Sequence, residues 1–264
     1  MSMSRRDLLR CAAVTPAAVG LGAGATGLTT ALSTVLTTVI DPPRAGAAPP
    51  AAPPGMSPGA SLGILLDYAA GVIPAADIRA AGAAGAIRYV SDRRPGGQWM
   101  LGKPIQLPEA RDLYRNGLKI VSCYQYGKQD TADWLGGRAA GVRHARRGWQ
   151  LHVDAGGSYG APIYASIDDD PTHEQYKQQV APYLRAWESV LGHQRVGVYA
   201  NSKTIEWALQ DGLGSYFWQH NWGSPGGRAH PAAHLHQVEI DKRSVGGVGV
   251  DVNHILQPRF GQWD

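Results

Sequence analysis

The run YASIDDDP, residues 164–171, ends an apolar stretch in three carboxylates, Asp168, Asp169 and Asp170, just before Pro171. Adjacent negative charges repel, so their place at the end of a buried segment asks for a chemical reason. Other acids stand at the ends of other apolar runs: Asp67 in LGILLDY, Glu239 in HLHQVEI and Asp251 in VGVDV. If the chain stays extended through 168–170, Asp168 and Asp170 share one face, roughly 6.6 Å apart along the strand, and Asp169 takes the other. Two carboxylates on one pocket wall can hold unequal pKa values, one giving a proton while the other stays charged. Cleavage of a glycosidic bond needs such a pair. The candidate acids are therefore Asp67, Asp168, Asp170, Glu239 and Asp251. Tyr124, Tyr126, Tyr199, Trp218 and Trp222 are candidates to stack on sugar rings. Gln219, Gln237 and Asn253 are candidates to hydrogen-bond their hydroxyls.

Each of these residues also has a purely structural reading. Asp170 before Pro171 suits a helix N-cap, and Thr172 with Gln175 suits a capping box. Asp67 could bind loop N–H groups, Asp251 could sit in a turn, and Glu239 could pair with Lys242 or Arg243. Aromatic residues on strands are often core, and Cys123, in an apolar run, reads as a buried free thiol. His230, His234 and His236 could bind zinc with a carboxylate. No HExxH accompanies them, so hydrogen-bonded imidazoles are the simpler reading, and neither a metal nor a cofactor is expected. YVSDRRPGGQW, residues 89–99, offers a basic loop in which Arg93 and Arg94 could grip a carboxylate or phosphate, or merely form a solvated turn.

Positioning such residues requires a frame. Strand-like runs lie at 62–68, 85–90, 118–126, 162–168, 195–200, 215–221, 234–240 and 248–252. Helical periodicity lies at 74–82, 108–116, 133–155, 173–191 and 202–211. In the fourth helix, Tyr176, Val180, Tyr183, Leu184 and Trp187 share a face, Pro182 is a kink candidate and Gly192 a stop. Eight strands with helices between most of them predict an α/β protein whose parallel sheet closes as an irregular (β/α)8 TIM-like barrel, least regular where the last three strands crowd together. An open doubly wound sheet is the alternative, but its glycine-rich phosphate turn is missing after the first strand. In a barrel, the candidate residues would gather at the carboxyl ends of the strands.

The chain has 264 residues and a formal charge of +4. Beyond residue 47 the charge is only +2 and evenly scattered, which argues against a nucleic-acid partner. SRRDLLR, residues 4–10, followed by an uncharged apolar stretch, resembles a twin-arginine export signal, and Ala45 to Ala47 offer a cleavage site. An uncleaved anchor is the alternative, since about 20 apolar residues can span a bilayer. The expected organisation is a signal over 1–47, a Pro/Ala-rich linker over 48–60 and a glycoside-hydrolase-like barrel over 61–264. Only Cys123 would remain after cleavage, so the core alone must hold the exported domain together.

The acids in their order, LLDYA with Asp67, IDDD with Asp168 and Asp170, LHQVE with Gln237 and GVDVN with Asp251 and Asn253, resemble the family 25 lysozymes, which cleave peptidoglycan. The whole chain, including LLDYAAGVIPA and YVSDRRPGG, resembles exported glycoside-hydrolase-like proteins of mycobacteria. The resemblance implies a secreted or envelope-associated protein acting on peptidoglycan or another cell-wall polysaccharide, without stable membrane insertion after signal cleavage, and a monomer. It implies that Asp168 stabilises charge at the sugar and that Asp170, or else Glu239, protonates the leaving oxygen. One departure bears on activity. The general acid in that family is the Glu of D-x-E, and here the position is Asp170, shorter by about 1.5 Å. Misplacement of about 1 Å can cost on the order of 100-fold in rate. A non-catalytic glycan-binding or regulatory protein on the same barrel is therefore a second expectation, and a metal-dependent phosphodiester hydrolase a third.

Overall fold

Strand alternation builds the molecule. In a computed structural model, which describes residues 61–263, eight strands close into a barrel in chain order. They are β1 (Ile64–Asp67), β2 (Gly85–Tyr89), β3 (Lys119–Tyr124), β4 (Ile163–Ser166), β5 (Val196–Ala200), β6 (Tyr216–Gln219), β7 (Leu235–Val245) and β8 (Val248–Ile255). The expected signal and linker, 1–47 and 48–60, lie outside the described residues. The irregular α/β barrel is the expected fold. Strands β1 to β7 pair in parallel, but β8 is antiparallel to both β7 and β1, which corrects the expectation of a wholly parallel sheet. The cause is local. Gly246 and Gly247, both at positive φ, turn the chain within two residues, and a parallel return would need a crossover of a dozen residues or more. The β7–β8 hairpin continues to Val245↔Val248, whereas β6 and β7 pair only over Trp218↔Leu235 and Gln219↔His236.

The helices are α1 (Ala75–Ala80), α2 (Leu107–Arg115), α3 (Gly137–Asp154), α4 (His173–Gln175), α5 (Ala181–Leu191) and α6 (Ser202–Gln210). Thr172 caps α4 in a capping box with Gln175, so Asp170 is left free of that duty. A π turn over Tyr176–Val180 joins α4 to α5 just ahead of Pro182, whose missing N–H leaves a gap in the helical ladder. Gly192, at φ 84°, ends α5.

Inward positions on the strands fill the barrel: Leu65, Ile87, Tyr89, Val121, Cys123, Tyr164, Tyr199, Trp218 and Leu235 form one buried cluster. Their neighbours, including Leu66, Ala86, Ile120, Tyr124, Ile163 and Val198, face the helices in a second. Phe260 belongs to the inner cluster and closes the end of the barrel away from the hairpin, where its carbonyl accepts from the Tyr164 hydroxyl at 2.8 Å. On the outer face of β2, buried Arg88 pairs with Glu109 of α2 at 2.6 Å and also donates to the carbonyls of Tyr68 and Gly102.

Candidate active site

A cleft of about 320 Å³ opens at the carboxyl ends of the parallel strands and is lined by Asp67, Tyr89, Asp168, Tyr199, Gln237 and Asp251, among others. Asp67 is the last residue of β1, and its register partner on β8 is Asp251. Because β8 runs backwards, Asp251 reaches the cleft from the amino half of its strand. Asp67 is buried and accepts from Asn253 Nδ2 at 2.7 Å, from the Tyr89 hydroxyl at 3.1 Å and from Gln237 Nε2 at 3.3 Å. That same Gln237 nitrogen lies 3.0 Å from Asp251 Oδ2, so one amide bridges the two carboxylates. The orientation of Gln237 is set by Tyr199, whose hydroxyl donates to Oε1 at 2.7 Å. The backbone N–H of Asp241, on the hairpin, donates to Asp251 Oδ1 at 2.8 Å.

Burial raises the pKa of Asp67 despite its three donors. Burial, and then the charge of Asp67, raise that of Asp251 to about 7. Two carboxylates this close resist double ionisation, so the pair keeps a proton up to neutral pH. Asp168 stands just beyond β4. Its Oδ2 accepts from Gln125 Nε2 at 2.7 Å and faces Lys128 Nζ at 3.7 Å. Its Oδ1 is shielded from solvent and meets no donor among the described residues. Burial raises the Asp168 pKa to about 6, against the pull of Lys128. The arrangement offers a protonated carboxyl and an ionised one on the same cleft at neutral pH, as acid-assisted bond cleavage requires.

Several candidates lie elsewhere. β4 ends at Ser166, and the Asp169 N–H turns back to the Ile167 carbonyl at 2.8 Å. The extended geometry assumed for the three aspartates fails there, and they fan apart. Asp169 accepts from the Trp134 indole at 3.0 Å. Asp170 binds Asn201 and Lys203, both at 2.7 Å, with its side chain 48% exposed and outside the cleft lining. Glu239 forms a two-bond pair with Arg243 at 2.6 and 2.7 Å, because irregular pairing between Gln237 and Arg243 turns it out of the inward series. Tyr124 stacks on His144 and meets Trp187 on the helical side, and Tyr126 also packs there. Gln219 anchors a loop, donating to the Arg228 carbonyl and accepting from the His230 N–H. Trp218 is interior but fully covered, and its indole donates to Asn253 at 2.8 Å. Asn253 in turn positions Asp67 without lining the cleft. Trp222 does line it and stacks on His220.

His230, His234 and His236 take separate partners, Glu206, the Phe217 N–H and Asn221. Among the described residues no group of His, Cys, Asp or Glu is arranged to hold a metal. Cys123 is a buried free thiol. Arg93 braces its loop by donating to the carbonyls of Lys103 and Leu101, while Arg94 lines the cleft. Tyr89, Gln125 and Lys103 are site residues that the motif reading missed. For Tyr89 and Gln125 the signal was present, since both have the parity of inward-facing Cys123 and Ile87.

A family model described as Rv2525c-like, glycoside hydrolase-like domain matches residues 76–255. The Mycobacterium tuberculosis protein Rv2525c, named as a candidate peptidoglycan hydrolase, is 70% identical over 263 residues, a match covering 100% of each chain. A crystal structure of that Tat-secreted protein in complex with L-tartrate covers 77% of this chain and 100% of its own, at 80% identity and a TM-score of 0.77. A second, in complex with HEPES, has 79% identity and a TM-score of 0.76 over the same shares. A B. stearothermophilus protein, 17% identical with a TM-score of 0.53, has the same fold over 73% of this chain and 95% of its own.

Proposed function

Because the chain belongs to the Rv2525c-like glycoside hydrolase-like family, we propose that it hydrolyses a cell-wall glycan, with peptidoglycan the first substrate to test. It is exported by the twin-arginine pathway, the route named for its 80% identical relative, and no helix among the described residues is long and apolar enough to cross a membrane. The observation that carries the catalytic reading is the convergence of Asp67, Asp168 and Asp251 on one cleft, with carboxyl pKa values raised by burial. In this reading Asp251, not Asp170 or Glu239, gives a proton to the glycosidic oxygen. The bond to the anomeric carbon breaks, and the released sugar leaves as an alcohol. Asp168 faces the positive charge left on the sugar, either directly or by orienting an N-acetyl group that shares it. Water then adds to the anomeric carbon, and its proton returns to Asp251. Asp67, Gln237 and Asn253 hold the donor in place.

The test is to incubate the purified protein with peptidoglycan and with arabinogalactan and to measure new reducing ends. Turnover should fall by about 10²–10⁴-fold in Asp251→Asn and again in Asp168→Asn. Polymers left intact by the parent protein across pH and added metal would end the claim for those two substrates. The outward position of Asp170 favours a second reading, in which the cleft binds glycan without cutting it. Equal glycan binding by the parent and the Asp168→Asn protein, with no turnover in either, is what that reading expects.

A further inference from the structure

We propose that Arg94 and Lys103 form an anion subsite in this cleft, so that the glycan taken here carries a negatively charged substituent, a carboxylate or a phosphate. This rests on the glycan reading above and adds the substrate's charge. Lys103 lines the cleft yet is only 3% exposed. Its ammonium donates to the Gln125 carbonyl at 2.8 Å and lies 3.9 Å over the Tyr89 ring. A carbonyl and a ring face compensate a buried cation poorly, since neither carries a full charge. Arg94 adds a second positive charge beside it. Burial first, and Arg94 as a further cause, bring the Lys103 pKa down to about 8.

Nearby acids are committed elsewhere: Asp133, whose charge reaches Lys103 from beyond ion-pair distance, is buried and accepts from the Tyr126 and Gly127 N–H groups, both at 2.8 Å. Asp92 forms a two-bond pair with Arg147 at 2.7 and 2.8 Å, and Lys128 is the cation that faces Asp168. Among the described residues no carboxylate lies within ion-pair distance of Arg94 or Lys103, and the Arg94 guanidinium makes no hydrogen bond. The loop is braced all the same, because neighbouring Arg93 ties it to the Lys103 and Leu101 carbonyls. Two cations lining one cleft with no acid in ion-pair contact, one buried and one with a free planar fork of donors, match an anionic oxygen pair. The Tyr89 ring lies under Lys103 while its hydroxyl binds Asp67, so the subsite adjoins the carboxylates that the proposed hydrolysis uses.

Methyl β-glucoside, methyl β-glucuronide and glucose 6-phosphate, titrated into the full-length protein and followed by NMR, test the proposal. At least one charged sugar should bind about tenfold more tightly than the glucoside, and which one does separates carboxylate from phosphate. In Arg94→Gln, whose side chain lies on a cleft loop outside the core, the gap should shrink to about twofold with the glucoside affinity unchanged. Equal affinities for neutral and charged sugars, or a gap that survives Arg94→Gln, would overturn the subsite and leave the glycan reading standing. Failure of all three sugars to bind would also overturn the subsite, while the glycan reading stands or falls on the polymer assay.

Discussion

At the scale of single residues, the chemistry turns on how Asp67 and Asp251 share a proton. Asn253 donates to Asp67 at 2.7 Å and takes the Trp218 indole at 2.8 Å, so a core tryptophan fixes the rotamer of the amide that fixes the acid. Catalysis as proposed needs Asp168 ionised and Asp251 protonated. With pKa values of about 6 and about 7, kcat/KM should trace a narrow bell, falling below about pH 6 and above about pH 7. A rate that is flat from pH 5 to 8 would count against these roles. The same shift governs stability. Asp251 has a folded pKa above its unfolded value, so the folded state holds the proton more tightly. The resulting penalty is absent below the ordinary carboxylate range, grows as pH rises and is complete above about pH 7. Asp251→Asn should therefore raise Tm at pH 8 by on the order of a few degrees and change it little at pH 4. Thermal melts at the two pH values check the sign.

At the scale of elements, the end of β4 decides which aspartate matters. Asp168 keeps the inward parity of Tyr164 and Ser166, but the turn from Ile167 to Asp169 breaks the alternation before Asp170. Asp170→Asn should leave hydrolysis within about threefold and stability within about 0.5 kcal/mol, since exposed ion pairs contribute little. A loss as large as that in Asp251→Asn would return Asp170 to the chemistry. Strand positions, and the inward set Asp67, Asp168, Tyr199, Gln237 and Asp251, were legible because period-two burial is written directly in residue order. Asp170 was not, because three aspartates in a row do not show where an extended chain bends. Tyr124 was misread for want of parity, since it alternates with Cys123. The reversal of β8 was half legible: two glycines between apolar runs spell a hairpin, not a crossover. Arg88 and Glu109 were invisible as a pair because one sits in an apolar run and the other on a helix 21 residues later. Their burial makes the pair testable. Glu109→Leu leaves a buried guanidinium without its acid and should cost about 3–5 kcal/mol in urea unfolding. A loss under about 1 kcal/mol would show that the Tyr68 and Gly102 carbonyls suffice.

At the scale of the whole molecule, the far end of the barrel is tied to the cleft through its interior. Phe260 fills the end below Tyr164, whose hydroxyl reaches the Phe260 carbonyl, and Tyr164 meets the edge of Trp218 at 6.1 Å. Trp218 holds Asn253, which holds Asp67. The last residues are also stitched to β3, with the Trp263 N–H on the Ile120 carbonyl at 2.8 Å and its indole on Ser122 at 3.0 Å. No disulfide supports this arrangement among the described residues, where Cys123 is the one cysteine and is a buried free thiol. Cohesion therefore depends on buried apolar contact, worth about 1.5–3 kcal/mol for each large side chain. Phe260→Ala removes one such residue from the interior and leaves a cavity, at an expected cost of about 3–5 kcal/mol. The twin-arginine route carries chains that have already folded, so this variant should be depleted from the exported fraction while Asp170→Asn is exported normally. Urea midpoints and immunoblots of cytoplasmic and exported fractions measure the two effects. Normal export of a Phe260→Ala protein that has lost the expected stability would show that the margin of folding exceeds what the pathway requires. An unchanged urea midpoint would show instead that the barrel closes without its carboxyl-terminal plug.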